Sequence, residues 1–193
     1  ETGQIGYCDV TFDSSNNKVV IAYRDRGDNY YGKAIVGTVS GTSISFGSAA
    51  TFNSNSTIYI EITFDSNSNK VVISYFNLAA GSNGTSIVGT VSGTSISFGS
   101  ATEFESGNID AISSTFDTSN SNYGTAVVGT VSGTSISFGT PVVFESASIT
   151  STGTTFDTNA NKVNIFYADD GNSNYGTAIV GTVSGTSISF GSE

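Results

Sequence analysis

The chain has 193 residues and a formal charge of −10, from 6 Lys and Arg against 16 Asp and Glu, so a polyanion such as nucleic acid would be approached against the mean field. It has no His, no Trp and a single Cys, which removes Ser-His-Asp chemistry, a His-based zinc site and an internal disulfide, while a glycosidase-type pair of carboxylates remains formally open. No apolar run nears the ~18 residues that a membrane helix needs, so neither nucleic acid nor insertion into a membrane is expected.

The opening Glu1-Thr2-Gly3 has no initiator Met and no signal peptide, as a trimmed or processed piece of something longer would. Cys8 stands at the start of a strand-like stretch and is expected to be a small buried hydrophobe. Thr11-Phe12-Asp13 follows and returns at Thr63 to Asp65, Thr115 to Asp117 and Thr155 to Asp157. Each Asp precedes Ser, Thr or Asn, where a carboxylate accepts N–H bonds of its own turn. Asp13, Asp65, Asp117 and Asp157 are therefore read as turn residues rather than calcium ligands, and no metal or other cofactor is expected.

Asn17 to Tyr23 is a nearly continuous β-branched run, predicted as a buried strand, with counterparts at Asn69 to Tyr75 and Lys162 to Tyr167. The loop after it varies between copies: Arg24 to Tyr31, Phe76 to Asn83 and Ala168 to Tyr175. Variation on a repeated scaffold is where recognition is usually placed. Asp25, Asp28 and Tyr31 in the first loop, and Asp169, Asp170, Asn172 and Tyr175 in the last, are the candidate ligand-binding residues, since carboxylates and amides hydrogen-bond sugar hydroxyls and Tyr stacks on the ring. Arg26-Gly27-Asp28 spells an integrin-type tripeptide, a pattern short enough to arise by chance. Asn55 and Asn83 open Asn-Ser-Thr and Asn-Gly-Thr, glycosylation acceptors in predicted loops.

The most regular element comes last in each copy. Gly-Thr-Val-Ser-Gly-Thr-Ser-Ile-Ser-Phe-Gly recurs unchanged from Gly37, Gly89, Gly129 and Gly181, at spacings of 52, 40 and 52. In the final copy Thr177 to Ser184 and Ser187 to Phe190 alternate as strands around Gly185-Thr186, the order a type II′ turn prefers. A two-residue loop sets Gly181 opposite Phe190 and puts Ile179, Val183, Ile188 and Phe190 on one face. The glycine becomes the slot over which the ring packs, so Phe46, Phe98, Phe138 and Phe190 should all be buried.

Four short antiparallel strands per unit, repeated without a helix, predict an all-β fold, a β-propeller of four blade-like units, with a linear β-repeat array or sandwich as the alternative. The units are placed at about residues 6–58, 59–110, 111–150 and 151–193. The third is short, because nothing like Lys70 to Tyr75 separates Thr115-Phe116-Asp117 from Tyr123. A meander that loses one strand reverses the direction of every later strand, so this unit is expected to relocate a segment, expose an edge or self-associate.

The eleven-residue core with its Thr-Phe-Asp and Lys-Val-Val-Ile-Ala-Tyr companions resembles the tandem repeats of large structural or tail-fibre-like proteins of aquatic phages and bacteria, over nearly the whole chain. That resemblance implies extracellular, cell-surface or virion display and carries no catalytic motif. In layout the chain is also similar to propeller lectins, without their Trp-lined sugar sites. The expected function is a non-catalytic structural or adhesion module with a cell-surface or virion partner; the alternative is a lectin that binds glycans through the variable loops.

Overall fold

The computed structural model describes residues 3–78, 83–106, 115–117 and 123–192. The first unit holds β1 (Ile5–Asp13), β2 (Lys18–Asp25), β3 (Tyr31–Ser40), β4 (Ser43–Phe46) and β5 (Ala50–Asn53). The second repeats them as β6 (Thr57–Asp65), β7 (Lys70–Asn77), β8 (Asn83–Ser92), β9 (Ser95–Phe98) and β10 (Thr102–Glu105). The third has β11 (Thr115–Asp117), β12 (Tyr123–Ala126), β13 (Gly129–Ser132) and β14 (Ser135–Phe138). β15 (Val142–Asp157) leads into the fourth, with β16 (Lys162–Asp169), β17 (Tyr175–Ser184) and β18 (Ser187–Phe190). The fold is all-β, and every strand pair among the described residues is antiparallel.

Within a unit the strand order is β1-β2-β3-β4. The turn after β1 is held by Asp13, whose carboxylate accepts from Ser15 N at 3.0 Å and Asn16 N at 3.0 Å, and Asn17 closes it with φ 53°. Asp65 and Asp157 do the same for Asn67 and Asn159, at 2.9 and 2.8 Å, which is the turn role read from the sequence. The side chain of Asp117 lies outside the described residues. The hairpin register is as predicted in all four copies: Gly37, Gly89, Gly129 and Gly181 pair with Phe46, Phe98, Phe138 and Phe190. Gly41, Gly93, Gly133 and Gly185 carry φ of 59° to 61°, the left-handed value the first turn position requires.

The first two units have five strands each rather than the four expected. After the hairpin the chain returns as a short strand, β5, along the first half of β3, pairing Ala50 with Ala34, Thr51 with Lys33 and Asn53 with Gly32. Phe52 is the extra residue of the bulge, and its ring lies where a Cβ of Gly32 would be. β10 repeats this on β8, and the first half of β15 repeats it on β12, with Phe144 over Gly124.

Each hydrophobic cluster sits between units, because every sheet has one face of small residues and one of large ones. Val20, Ala22, Ala34 and Val36 of the first unit meet Ile62, Ile73, Tyr75 and Ile96 of the second. Val72 and Val88 of the second meet Ile136 of the third, with Val131 and Phe138 packed alongside. Between the third and fourth units Phe144 packs with Ile149, Ile165, Tyr167 and Ile179. The return-strand phenylalanine is the wedge at each junction: Phe52 lies 5.1 Å from Tyr75 and 5.9 Å from Phe98, Phe104 5.4 Å from Phe138, and Phe144 5.3 and 5.4 Å from Tyr167 and Phe190.

Exposure therefore depends on whether a unit precedes. Phe46 is 48% exposed, whereas Phe98, Phe138 and Phe190 are half-buried, so the equal burial expected of the four rings does not hold. The slot over the glycine is also shared, since Ile96 Cδ1 comes closer to a Cβ at Gly89 than Phe98 does, 2.8 against 3.2 Å. Cys8 is exposed rather than buried. It stands at a β-bulge between Gly6 and Asp9, and its counterpart Ile60 is buried because the first unit covers it.

In the third unit β11 pairs directly with β12, Phe116 opposite Gly124, and takes the place that the second strand holds elsewhere. This is the relocation expected from the missing strand; the residues on either side of β11 lie outside those described. The boundary expected near residue 150 falls inside β15, whose first half belongs to the sheet of the third unit and whose second half pairs with β16.

Candidate functional site

The loops expected to bind ligand are built differently in the first and last units. Asp25 ends β2 opposite Tyr31 and is buried; its carboxylate accepts from Gly27 N at 2.9 Å and from Lys33 Nζ at 2.8 Å. Asp28 meets the same Lys33 ammonium at 2.7 Å, so the Asp of Arg26-Gly27-Asp28 is tied into its own unit. The Lys33 hydrogen bond holds the Asp25 carboxyl below its usual range against the cost of burial, and the two carboxylates raise the Lys33 ammonium. Arg24 spans the rings of Tyr7 and Tyr30 at 4.6 and 5.1 Å.

In the fourth unit Asp169 is buried, pairs across the strands with Tyr175 and caps a 3-10 turn at Asp170–Asn172 by accepting from Gly171 N at 2.8 Å. Asp170 and Asn172 are exposed on that turn, and Tyr175, the first residue of β17, is 65% exposed. Of the seven loop candidates, Asp25 and Asp169 are buried and hold turns, Asp28 serves Lys33, Tyr31 is half-buried at the start of β3, and Asp170, Asn172 and Tyr175 are exposed. Of the glycosylation candidates, Asn55 is half-buried in the loop before β6, and Asn83 begins β8 with its amide on Glu103, in a strand rather than a loop.

The sequence reading missed a cleft of about 340 Å³ between the second and fourth units. Glu61, Thr63, Val72 and Ser74 line one wall, and Thr154, Phe156 and Val163 the other. Phe64 of the second unit packs against the cluster shared by the first two units, whereas its counterpart Phe156 is 53% exposed on the cleft. No local sequence pattern marks the cleft, because its walls come from residues 61–74 and 154–163.

Burial first, and then the adjacent Asp9 carboxylate with the hydrogen bond it makes, push the Glu61 carboxyl up to about 7. Glu61 as a residue remains exposed, so solvent reaches the carboxyl and moderates that rise. Asp9 is fixed by accepting from Ile62 N of the next unit at 2.9 Å. Hydroxyls, one titratable carboxyl and an open aromatic ring can hydrogen-bond and stack on a polar ring such as a sugar. No group of three or more metal-ligating side chains occurs among the described residues. Comparison with protein-family models, with curated proteins and with solved structures gave no match, so the site is read from its own geometry.

Proposed function

We propose that the chain is a non-catalytic structural or adhesion module, displayed outside the cell or on a virion, whose units stack as blades of a β-propeller. The observation that carries this reading is the repeated junction. The exit glycine of each hairpin receives the turn carbonyl of the next, Gly47 with Thr94, Gly99 with Thr134 and Gly139 with Thr186, so tightly that a Cβ at any of the three would collide. A sequence held identical at such contacts serves packing between like units. The first strands of successive units are also brought together by the Asp9 to Ile62 hydrogen bond, as inner strands of adjacent blades would be. The backward face of the first unit, with Val10, Phe12, Val39 and Ile44 each more than 40% exposed, suits a further packing partner. Small-angle scattering and electron microscopy of the chain test the architecture: a compact curved or ring-like particle supports blades, and a straight rod sinks the propeller in favour of the linear array.

A second reading, glycan recognition, is favoured by the cleft beside Phe156 and by the exposed Asp170, Asn172 and Tyr175. A glycan array distinguishes the two. Reproducible binding that is lost in Phe156→Ala or in Asp170→Ala with Tyr175→Ala makes the chain a lectin, and a blank array leaves the structural module.

A further inference from the structure

Of the cationic side chains of this acidic protein, two arginines converge on one point. Arg24 Nη2 and Arg26 Nε and Nη2 all lie within 3.4 Å of the position a Cβ on Gly6 would take. The strand register puts them there, since Gly6 pairs with Arg24 and Arg26 N bonds Gln4 O at 2.9 Å, so the two arginines follow each other on one face of the sheet. Among the described residues neither guanidinium makes a salt bridge or a side-chain hydrogen bond, and Arg24 Nε is buried without a partner. The carboxylates nearest in the chain, Asp25 and Asp28, are taken by Lys33 at 2.8 and 2.7 Å. Two cations held side by side repel, and their donors go unsatisfied; an anion between them removes both costs.

The neighbouring rings fix how the donors point. Arg24 is stacked on Tyr7 and Tyr30, which occupies the faces of its guanidinium and leaves the in-plane N–H edge for an acceptor. Tyr7 in turn meets Tyr59 of the second unit edge-on at 5.4 Å. This is the face turned to the second unit, since Val20 and Ala22 on the same side of β2 are buried in the cluster the two units share, so the arrangement does not depend on what covers the backward face. The repeated scaffold does not require it either. The second unit has apolar Ile58, Phe76 and Leu78 at the places of Gly6, Arg24 and Arg26, and the fourth has Thr150 and Ala168 at those of Gly6 and Arg24.

We propose that Arg24 and Arg26 form a carboxylate-binding site for a glycan that ends in one acidic sugar, with Tyr7 and Tyr30 as the surface on which its ring packs. The planar guanidinium fork matches a carboxylate bidentately, as it cannot match a neutral hydroxyl. Tyr7 and Tyr30 are 41% and 48% exposed, which leaves them ring surface to offer. The formal charge of −10 turns away a polyanion and limits the ligand to a single carboxylate on an otherwise neutral glycan. The proposal rests on the glycan reading for the class of ligand, but places it at the first junction rather than in the cleft beside Phe156.

The full chain is titrated with sialyllactose and with cellobiouronic acid, against lactose and cellobiose as their neutral counterparts, by calorimetry and by the arginine Nε–H signals in NMR. Saturable one-to-one binding of at least one acidic probe is expected, with shifts of the Arg24 and Arg26 signals, and the neutral sugars should bind at least about tenfold more weakly. Arg26→Gln, at an exposed position, should weaken binding of the acidic probe by about tenfold or more, as loss of a charge-assisted hydrogen bond does. Arg24→Phe should do the same with an unchanged circular dichroism spectrum, because it installs the residue that the second unit already sets beside Tyr59. Phe156→Ala should bind as wild type. Failure of both acidic probes to saturate, equal binding of the neutral sugars, or unchanged affinity in Arg26→Gln overturns the proposal. So does equal binding of a capped Gly-Glu-Gly peptide, which would give the site to acidic protein segments. Loss of sugar binding in Phe156→Ala but not in Arg26→Gln overturns it too, and leaves glycan recognition in the cleft standing.

Discussion

Gly99 lies directly against the backbone carbonyl of Thr134, and Gly47 and Gly139 meet Thr94 and Thr186 in the same way. The fourth member, Gly191, has only Val180 O near a Cβ, at 3.9 Å. Gly47→Ala, Gly99→Ala and Gly139→Ala should each destabilise the chain by about 1–3 kcal/mol, the range for overpacking a tight contact. Gly191→Ala should change stability by less than about 0.5 kcal/mol. Urea unfolding of the four variants checks this, and equal losses at all four would mean that the effect is local to the hairpin and not made at the junctions.

The hairpin isoleucines offer a second comparison of like with like. Ile96, Ile136 and Ile188 are 6%, 8% and 7% exposed, and Ile44 is 44% exposed. Truncation to Ala should cost about 2–5 kcal/mol at the three covered positions and under about 1 kcal/mol at Ile44. Differential scanning calorimetry reads the difference as a Tm drop confined to the covered copies. A large drop for Ile44→Ala would mean that the first unit is covered in solution.

Glu61 gives the stability a pH dependence of definite sign. Its carboxyl is raised from 4.5 to about 7, so the folded chain binds this proton more tightly than the unfolded one. The stabilisation is complete below about pH 4.5 and is lost as pH rises to 7. Glu61→Gln should lack that slope and exceed wild type at pH 8 by about 1 kcal/mol, after the discount for solvent screening. Denaturation curves at pH 5 and pH 8 decide it, and parallel behaviour of the two proteins would refute the assignment. Asp13 and Asp65 act at the other end: burial opposes their charge, but hydrogen bonds from Ser15 and Asn16, and from Ser68 and Asn67, outweigh it and hold both carboxyls low. Their contribution is present above their unfolded value of about 3.8 and fades as pH falls through the lower folded one.

The Asp13 carboxylate accepts four hydrogen bonds from Ser15 and Asn16, at 2.7 to 3.0 Å. With its oxygens committed to the turn, adding EDTA should leave Tm unchanged, while Asp13→Ala should cost about 1–2 kcal/mol, as loss of a capping side chain does. A reversible fall in Tm on chelation would assign these carboxylates to an ion.

The hairpin was legible in the sequence because its register depends only on a two-residue turn and strict alternation, both local. The Asp turns were legible for the same reason, the acceptor and its donors being within three residues of each other. The return strand was not: Ala50-Thr51-Phe52-Asn53 and Val142-Val143-Phe144-Glu145 are short, differ in sequence and contain a bulge, which breaks the period of two by which strands are recognised. Exposure at Cys8, Phe46 and Phe156 could not be read either, since each lies on a face that only a neighbouring unit covers. The cleft is formed between two units distant in the chain, which no local pattern reveals. The loop candidates lie at or between the end of β2, or its counterpart β16, and the start of the next strand, but whether a carboxylate faces outward or holds its own turn depends on partners such as Lys33 that the loop sequence does not reveal.

β15 is one unbroken strand of 16 residues, hydrogen-bonded to β12 along its first part and to β16 along its second. Between β5 and β6 the corresponding passage is interrupted at residues 54–56. Under tension the first two units are joined by a short irregular link that can yield separately, whereas load entering the fourth unit passes straight along β15 into the sheet of the third. The short unit is thus fastened mechanically to its successor, and the two should give way together as a single rupture, with the earlier units unfolding as separate steps.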